Sequence, residues 1–270
     1  MIKLTDKEFE QIHKMVREQY GINLEKKRNL IQSRLQSTLN NKGLDNFSDY
    51  FKLLVANKDD ELTNFLNNIT TNHTFFFREK DHFDLLSKTI LPEITGDNKH
   101  TNFNIWSAGC SSGEEVFSIV MTIIQYLGFR APMWNGKLLA SDISRKVMAK
   151  AQNGVYTDEH LRGIPSEYVR RFFKPNLTDK TYTLKEEVLK HVNFQYLNLM
   201  SQFPYTNKFD VIFCRNVMIY FDNEIRTKLV AKFHKALKPG GYFIIGHSET
   251  LNAIKNDFTY IKPSIYRKEK

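Results

Sequence analysis

At 270 residues, 41% hydrophobic and 26% charged, the chain holds enough apolar material for one large α/β domain and a smaller one, which excludes disordered and fibrous classes. No apolar run approaches the roughly 18 residues of a membrane span, and Met1-Ile-Lys-Leu-Thr-Asp-Lys-Glu8 lacks the apolar stretch of a secretion signal, so a cytoplasmic protein without membrane insertion is expected. The formal charge of +9, from 39 basic and 30 acidic residues, favours an acidic partner.

Thr5-Asp-Lys-Glu8 has the pattern of a capping box, and Phe9, Ile12, Val16 and Tyr20 recur at helical spacing until Gly21 supplies a stop. Leu24, Arg28, Ile31, Leu35 and Leu39 form a second stripe ending near Gly43. Residues 47–55 and 62–69 read as third and fourth helices. A helical domain over 1–72 follows. Its first 70 residues are nearly neutral, with eleven Lys/Arg against ten Asp/Glu, yet 22–42 gathers Lys26, Lys27, Arg28, Arg34 and Lys42 against Glu25 alone.

The segment from Thr70 to Arg78, with its run Phe75-Phe-Phe77, marks a junction between domains. Phe83, Leu86 and Ile90 begin a helix that Pro92 is expected to terminate. Beyond the polar loop 96–102, strand, turn, helix and strand alternate through Ile105, 115–127 and 138–141, the pattern of a parallel sheet. A second domain over 73–270 is therefore expected, a Rossmann-like doubly wound α/β sheet. Residues 165–192 change texture: Phe172-Phe173, a polar turn over 175–179 and the weakly alternating Thr181-Tyr-Thr-Leu184 suggest a small β insertion. Later strands are expected at 192–196, 211–214 and 242–245, with a helix at 223–237. No internal repeat is present.

Chemistry concentrates where apolar runs end in small or polar residues, as buried parallel strands do when they open onto a ligand crevice. Ser107-Ala-Gly-Cys-Ser-Ser-Gly113 lies between a strand and a helix, where missing side chains let backbone amides approach a ligand; a plain βα turn is the equal alternative. Glu114 and Glu115 open the following helix, a position the helix dipole favours for acids. One of them caps. Glu115 is expected to face the crevice and to meet the positive or hydroxyl part of a cofactor, and the acid pair would repel a pyrophosphate. Asp142 ends the second strand, where an acid accepts from ribose hydroxyls or else caps the helix beginning near Ser144. Cys110 and Cys214 fall in the same loops and read as buried reduced thiols. Without Cys-x-x-Cys or paired-His spacing, neither a disulfide framework nor a metal site is expected.

Five stretches then resemble one family, the chemotaxis receptor methyltransferases (CheR family), over nearly the whole chain: Asn72-His-Thr-Phe-Phe-Phe-Arg78, Trp106-Ser-Ala-Gly-Cys-Ser-Ser-Gly-Glu-Glu115, Ala140-Ser-Asp142, Phe213-Cys-Arg-Asn-Val-Met-Ile-Tyr-Phe221 and Gly246-His-Ser-Glu249. The resemblance implies a class I methyltransferase fold with an antiparallel last strand and S-adenosylmethionine as donor, leaving S-adenosylhomocysteine. It also implies that Asn72, Thr74, Arg78, Glu115, Asp142, Asn198, Leu199, Arg215 and Asn216 line the donor pocket, and that glutamates on the cytoplasmic domains of chemoreceptors become methyl esters. Relative to the general class I pattern, Ser107 replaces an acid and Ser111 a glycine.

An acceptor glutamate is already ionised at neutral pH, its reference pKa being about 4.3, so no general base is required. Arg78 is expected to hold the acceptor by forked hydrogen bonds, and Tyr220 to donate one more and wall the methyl group. Arg28 and Arg34, with Lys26 and Lys27, make a candidate strip for an acidic receptor helix. The stretch 174–182 lacks the glycine of a tether-binding β loop, so recognition independent of a receptor C-terminal peptide is expected, by a monomer without nucleic-acid partners. Three alternatives are weighed. Base-amine methyltransferases resemble Asn/Asp-Pro-Pro-Tyr where this chain has Arg215-Asn-Val-Met; a non-catalytic adaptor would have lost Glu115, Asp142 or Arg78; and a dehydrogenase would need Gly-x-Gly-x-x-Gly.

Overall fold

The computed structural model describes residues 2–56, 60–70, 74–97 and 100–269. The chain divides into two compact units, Met1–His73 with Tyr220–Ile225, and Thr74–Ile219 with Arg226–Lys270.

The first unit carries α1 (Asp6–Tyr20), α2 (Arg28–Asn41), α3 (Phe47–Ala56) and α4 (Asp60–Ile69). The capping box forms as read: Glu8 N donates to Thr5 Oγ1, the Glu8 carboxylate accepts from Thr5 N at 2.9 Å, and Gly21 closes the helix at φ 75°. Glu8 also accepts from Ser48 N at 2.8 Å and Ser48 Oγ at 2.9 Å, so one carboxylate serves the first turns of α1 and α3. Ile12, Val16, Ile31, Leu35, Leu39, Phe47, Tyr50, Leu54, Leu62, Phe65 and Ile69 build the core. The segment Tyr220–Ile225 joins these helices through an Ile22–Phe221 bridge, an Asn23 N to Tyr220 O bond of 2.8 Å and an Arg17–Asp222 ion pair of 2.8 Å.

The second unit opens with α5 (Asp81–Leu85), a π turn over Leu86–Ile90 and α6 (Leu91–Thr95). Pro92 does not terminate the helix as the sequence suggested. The π turn places it at the start of α6, where its missing N–H costs least, and Gly96 at φ 56° makes the stop. There follow β1 (Ile105–Ala108), α7 (Glu114–Leu127), β2 (Leu138–Asp142), α8 (Arg145–Asn153), β3 (Val155–Thr157), α9 (Ser166–Phe172), β4 (Phe173–Asn176), β5 (Thr181–Leu184), α10 (Glu186–Leu189), β6 (Val192–Tyr196), β7 (Phe209–Cys214), α11 (Asn223–Ala236), whose first residues belong to the helical unit, β8 (Leu237–Ile245), β9 (Thr259–Lys262) and β10 (Ile265–Arg267).

Seven strands run in the order β6-β2-β1-β7-β8-β10-β9, with β10 antiparallel to β8 and β9 and the pairs from β6 to β8 parallel. The strand order reverses between β1 and β7, so the crevice at their carboxyl ends is where an open α/β sheet takes a ligand. Trp106 on β1 is fully buried against Phe203, Tyr205, Phe209 and Phe233 and donates to Ser141 Oγ at 2.9 Å, which couples β1 to β2 through a side chain as well as the ladder. A second, antiparallel sheet, β3-β5-β4, is the β insertion. It recruits 155–157 from upstream, and its polar stretch continues β4 to Asn176 with Pro175 on an edge strand, where proline is tolerated. Glu114–Met133 is long and apolar enough to span a membrane, contrary to the sequence expectation, but it holds α7, whose residues from Val116 to Ile124 are buried in the core.

Candidate active site

The loop after β1 keeps its amides for the protein. Gly109 N and Cys110 N both donate to Ser141 O, at 2.8 and 2.9 Å, Gly113 N donates to Cys110 O at 3.0 Å, and Ser111 N donates to Asp142 Oδ2 at 2.8 Å. Of the two readings of this loop the plain βα turn is favoured, because the neighbouring strand end accepts three of these amides and Cys110 O the fourth. The amides of Gly109, Cys110, Ser111 and Gly113 are thus not arranged as a phosphate nest. Ser111, standing where the general pattern has glycine, adopts φ 49° under the hold of Asp142. Gly109 serves close packing: a Cβ there would lie 2.4 Å from Val217 Cγ2 on the loop after β7.

Arg215, just past β7, is the hub of the crevice. Its side chain is 2% exposed; Nη1 donates to Glu115 Oε2 at 2.9 Å, Nη2 lies 3.3 Å from Glu79 Oε2 and donates to the Arg78 carbonyl. Glu115 Oε1 accepts from Ser107 Oγ at 2.7 Å, so the serine replacing an acid on β1 orients an acid on α7. Arg215 Nε is buried without a hydrogen-bond acceptor, a donor that an anionic group of a ligand would satisfy. Burial acts to raise the Glu79 carboxyl, but the Arg215 guanidinium and the His247 amide outweigh it and hold it below its ordinary value. The turn bearing Arg78 and Glu79 is anchored by the aromatics before it: Phe76 meets Tyr156 and Phe173 edge-on, and Phe77 meets Phe83 and Tyr168.

Asp142 accepts from Ser144 N at 2.9 Å through its other oxygen, while Ser144 Oγ caps α8 by accepting from Val147 N. Ser144 therefore takes the capping role that the sequence left open to Asp142. Burial raises the Asp142 carboxyl above its ordinary value, against the backbone amides of Ser144, Ser111 and Ile143. Asn198 and Leu199 follow β6, and Asn198 Oδ1 accepts from Met200 N at 2.9 Å. Lys232 on α11 donates to the carbonyls of Leu199, Met200 (3.2 Å) and Ser201 (2.9 Å) with its Nζ 4.7 Å from the Phe203 ring centre. Burial brings its ammonium down to about 8. If Asn198 and Leu199 line the donor pocket as the resemblance implies, deprotonation, which takes one of three N–H donors from these carbonyls, should lower affinity for S-adenosylhomocysteine as pH rises through about 8, and Lys232→Met should weaken it by roughly tenfold with a flat profile over that range, read by calorimetry.

Asn216, at φ 59°, donates its N–H to Glu249 Oε2 at 2.9 Å; Gly246 N donates to the same oxygen at 2.7 Å and Ile219 N to Oε1 at 3.2 Å. Glu249 is 7% exposed, and burial raises its carboxyl despite these amides. It braces the loop after β7 against the end of β8.

Of the residues singled out by sequence, Arg78, Glu115 and Arg215 meet in one network, Asp142 holds the β1 loop, Asn216 is bonded to Glu249, and Asn198 and Leu199 share the loop held by Lys232. Thr74 begins the second unit; Asn72 lies outside the described residues. Tyr220 belongs to the helical unit, with Lys27 Nζ 4.4 Å from its ring centre. There too, Arg28 pairs with Asp6 and donates to Leu4 O at 2.6 Å, and Arg34 donates to Asn68 O at 2.8 Å. Glu79, Lys232 and Glu249 went unassigned in the sequence reading. Glu79 follows Arg78 and Glu249 ends a quoted motif, whereas nothing separates Lys232 from the other lysines of its helix. Cys110 and Cys214 are free and buried.

A sheet of this order, with one acid on the helix after its first strand, another at the end of its second and loop amides bonded to the neighbouring strand end, defines the class I methyltransferases that use S-adenosylmethionine. Residues 72–267 match the family model described as CheR methyltransferase, SAM binding domain, and residues 7–70 match CheR methyltransferase, all-alpha domain. The chain belongs to the CheR methyltransferase family. It is 42% identical to the chemotaxis protein methyltransferase of Borreliella burgdorferi, over 99% of this chain and 96% of that one, and 35% identical to that of Escherichia coli, over 98% and 92%.

Proposed function

We propose that the protein methylates glutamate side chains on the cytoplasmic domains of chemoreceptors, giving glutamyl methyl esters, without docking on a receptor C-terminal peptide. The carrying observation is the Ser107–Glu115–Arg215 network beside Asp142. It sets two carboxylates and a buried guanidinium with one unused N–H at the crevice, which suits a ligand that is cationic, hydroxylated and carboxylated but has no phosphate. In this reading Glu115 and Arg215 hold the amino-acid end of the donor, Asp142 its ribose, and Asn72, Thr74, Arg78, Asn198, Leu199 and Asn216 complete the pocket.

When bound, S-adenosylmethionine supplies an electrophilic methyl group on a sulfonium sulfur. The acceptor carboxylate attacks as it stands, so the protein's task is alignment and exclusion of water, which can contribute roughly 7–11 kcal/mol. Arg78 orients the acceptor through its guanidinium, and Tyr220 donates to it through its hydroxyl. Tether independence is supported by the short β4–β5 connection, 177–180, which Asn176 closes by accepting from Thr178 N at 3.1 Å and donating to Asp179 at 2.9 Å.

The test is incubation with methyl-labelled donor and receptor-containing membranes. Label released by base as methanol is expected; base-stable label would point to a methylated amine and overturn the reading. Removing the receptor's C-terminal peptide should leave the rate within about twofold, and a larger loss would overturn tether independence. Reversing Arg28 and Arg34 to Glu should weaken receptor methylation roughly tenfold while S-adenosylhomocysteine affinity stays unchanged. Both arginines also bond within the bundle, so thermal unfolding is read alongside; a loss of donor affinity would sink their assignment to the receptor.

A further inference from the structure

His82, on α5, is buried to 1% and neither ring nitrogen has a hydrogen-bond partner. Native proteins seldom leave such atoms unsatisfied, and the one that faces Glu79, Nδ1, is placed to bind a ligand. Its Nδ1 lies 3.5 Å from Glu79 Oε2, His247 Nε2 lies 3.9 Å from the same oxygen, and one donor atom from each of the three residues falls within 4.8 Å of the others. The fourth neighbour is Asp81, whose Oδ2 is 3.2 Å from His247 Nε2.

Two imidazoles and a carboxylate form a donor set for borderline divalent ions, and bonds of about 2.0–2.2 Å in a tetrahedron put ligand atoms roughly 3.4 Å apart. The His82–Glu79 separation of 3.5 Å is already close to that value, and the His247–Glu79 separation of 3.9 Å must close by about half an ångström. The side chain of His247 is 48% exposed and that of Asp81 60%, which leaves room for a small rotation and an entry path. We propose that Glu79, His82 and His247 bind a zinc-type divalent ion, with Asp81 or water as the fourth ligand. Glu79 and His247 stand 168 residues apart, which is why local spacing in the sequence gave no sign of it.

The Arg215 guanidinium, 3.3 Å from Glu79 Oε2, competes with the ion for that carboxylate. Metal binding is thereby coupled to Arg215 and, through it, to Glu115. The coupled consequence, unlike the site itself, rests on the donor-pocket reading: occupancy should weaken S-adenosylhomocysteine binding.

The experiment uses the full chain without a histidine tag, titrated with Zn2+ by calorimetry and with Co2+ by visible absorption. One equivalent should bind, with the bands of a low-coordinate Co2+ site, and His247→Ala and His82→Asn should each weaken binding at least about 100-fold. His247→Ala replaces a half-exposed side chain and keeps the test valid if the His82 variant does not fold. Absence of saturable binding, or undiminished binding by His247→Ala, overturns the site. Saturating Zn2+ should also lower S-adenosylhomocysteine affinity about tenfold; stoichiometric metal without that loss upholds the site and removes the coupling to Arg215.

Discussion

Arg215→Met should lose S-adenosylhomocysteine affinity by at least about 100-fold and destabilise the protein by roughly 3–5 kcal/mol. The guanidinium is buried between Glu115 and Glu79 and also holds the Arg78 carbonyl. Methionine fills much of the volume but leaves two carboxylates facing each other in a site of low dielectric, and the turn carrying Arg78 comes loose. For a domain of this size a loss of that order lowers the melting temperature by roughly 10 °C. Arg215→Lys keeps a charge but not the fork, so its losses should be intermediate. Calorimetry and thermal unfolding read both terms; a methionine variant with near wild-type affinity would remove Arg215 from the donor site.

The same network has a pH signature. Glu79 lies below its ordinary pKa in the folded chain, so its contribution is present above the unfolded value and is lost as pH falls through the folded one. Glu249 and Asp142 are shifted upward and act oppositely: each is better accommodated protonated, and its favourable share disappears as pH rises through its folded value. Acid destabilisation through Glu79 should shrink in Arg215→Met, because the partner that lowers its pKa is gone.

What the sequence made legible follows from the range of the interactions concerned. The first helix could be read end to end because its start and stop are local events, a Thr5–Glu8 box and a left-handed Gly21. The places of Glu115 and Asp142, one opening the helix after β1 and the other ending β2, were legible for a related reason: strand ends are visible as apolar runs turning polar, and fold topology then brings those ends together. The inclusion of Tyr220–Ile225 with the helices depends on Ile22 pairing with Phe221, a contact across about 200 residues that periodicity cannot register. Strand β3 is three residues long and exists through its partner β5, and β9 and β10 are similarly brief. Pro92 misled because a π turn, which has no sequence signature, accommodated it.

Site residues divide in the same way. A residue that would touch the donor sits at a motif, whereas the residues that hold it in place come from elsewhere. Glu249 reaches back to Asn216 and Ile219, and Lys232 reaches from α11 to the loop after β6. Only the folded chain brings these carbonyls and amides within reach.

Asp142→Asn should weaken S-adenosylhomocysteine binding by about 100-fold, and the reason lies in what its carboxylate already does. Both oxygens accept backbone N–H groups, from Ser111 at 2.8 Å and Ser144 at 2.9 Å, and in the proposed pocket the remaining lone pairs accept from the ribose hydroxyls. An asparagine must turn its NH2 towards one of those N–H groups, losing a bond and presenting a donor where a hydroxyl also donates. Each loss is worth roughly 1–3 kcal/mol, and Ser111 is released from its left-handed conformation at φ 49°. Ser144→Ala separates the cap from the ligand contact: losing the α8 cap should cost about 1 kcal/mol of stability with unchanged donor affinity. Because burial raises the Asp142 carboxyl, acid should reproduce the asparagine effect in the wild type, with affinity falling as pH drops through its folded value while the variant stays flat. Equal affinities of wild type and Asp142→Asn at neutral pH would confine Asp142 to holding the β1 loop.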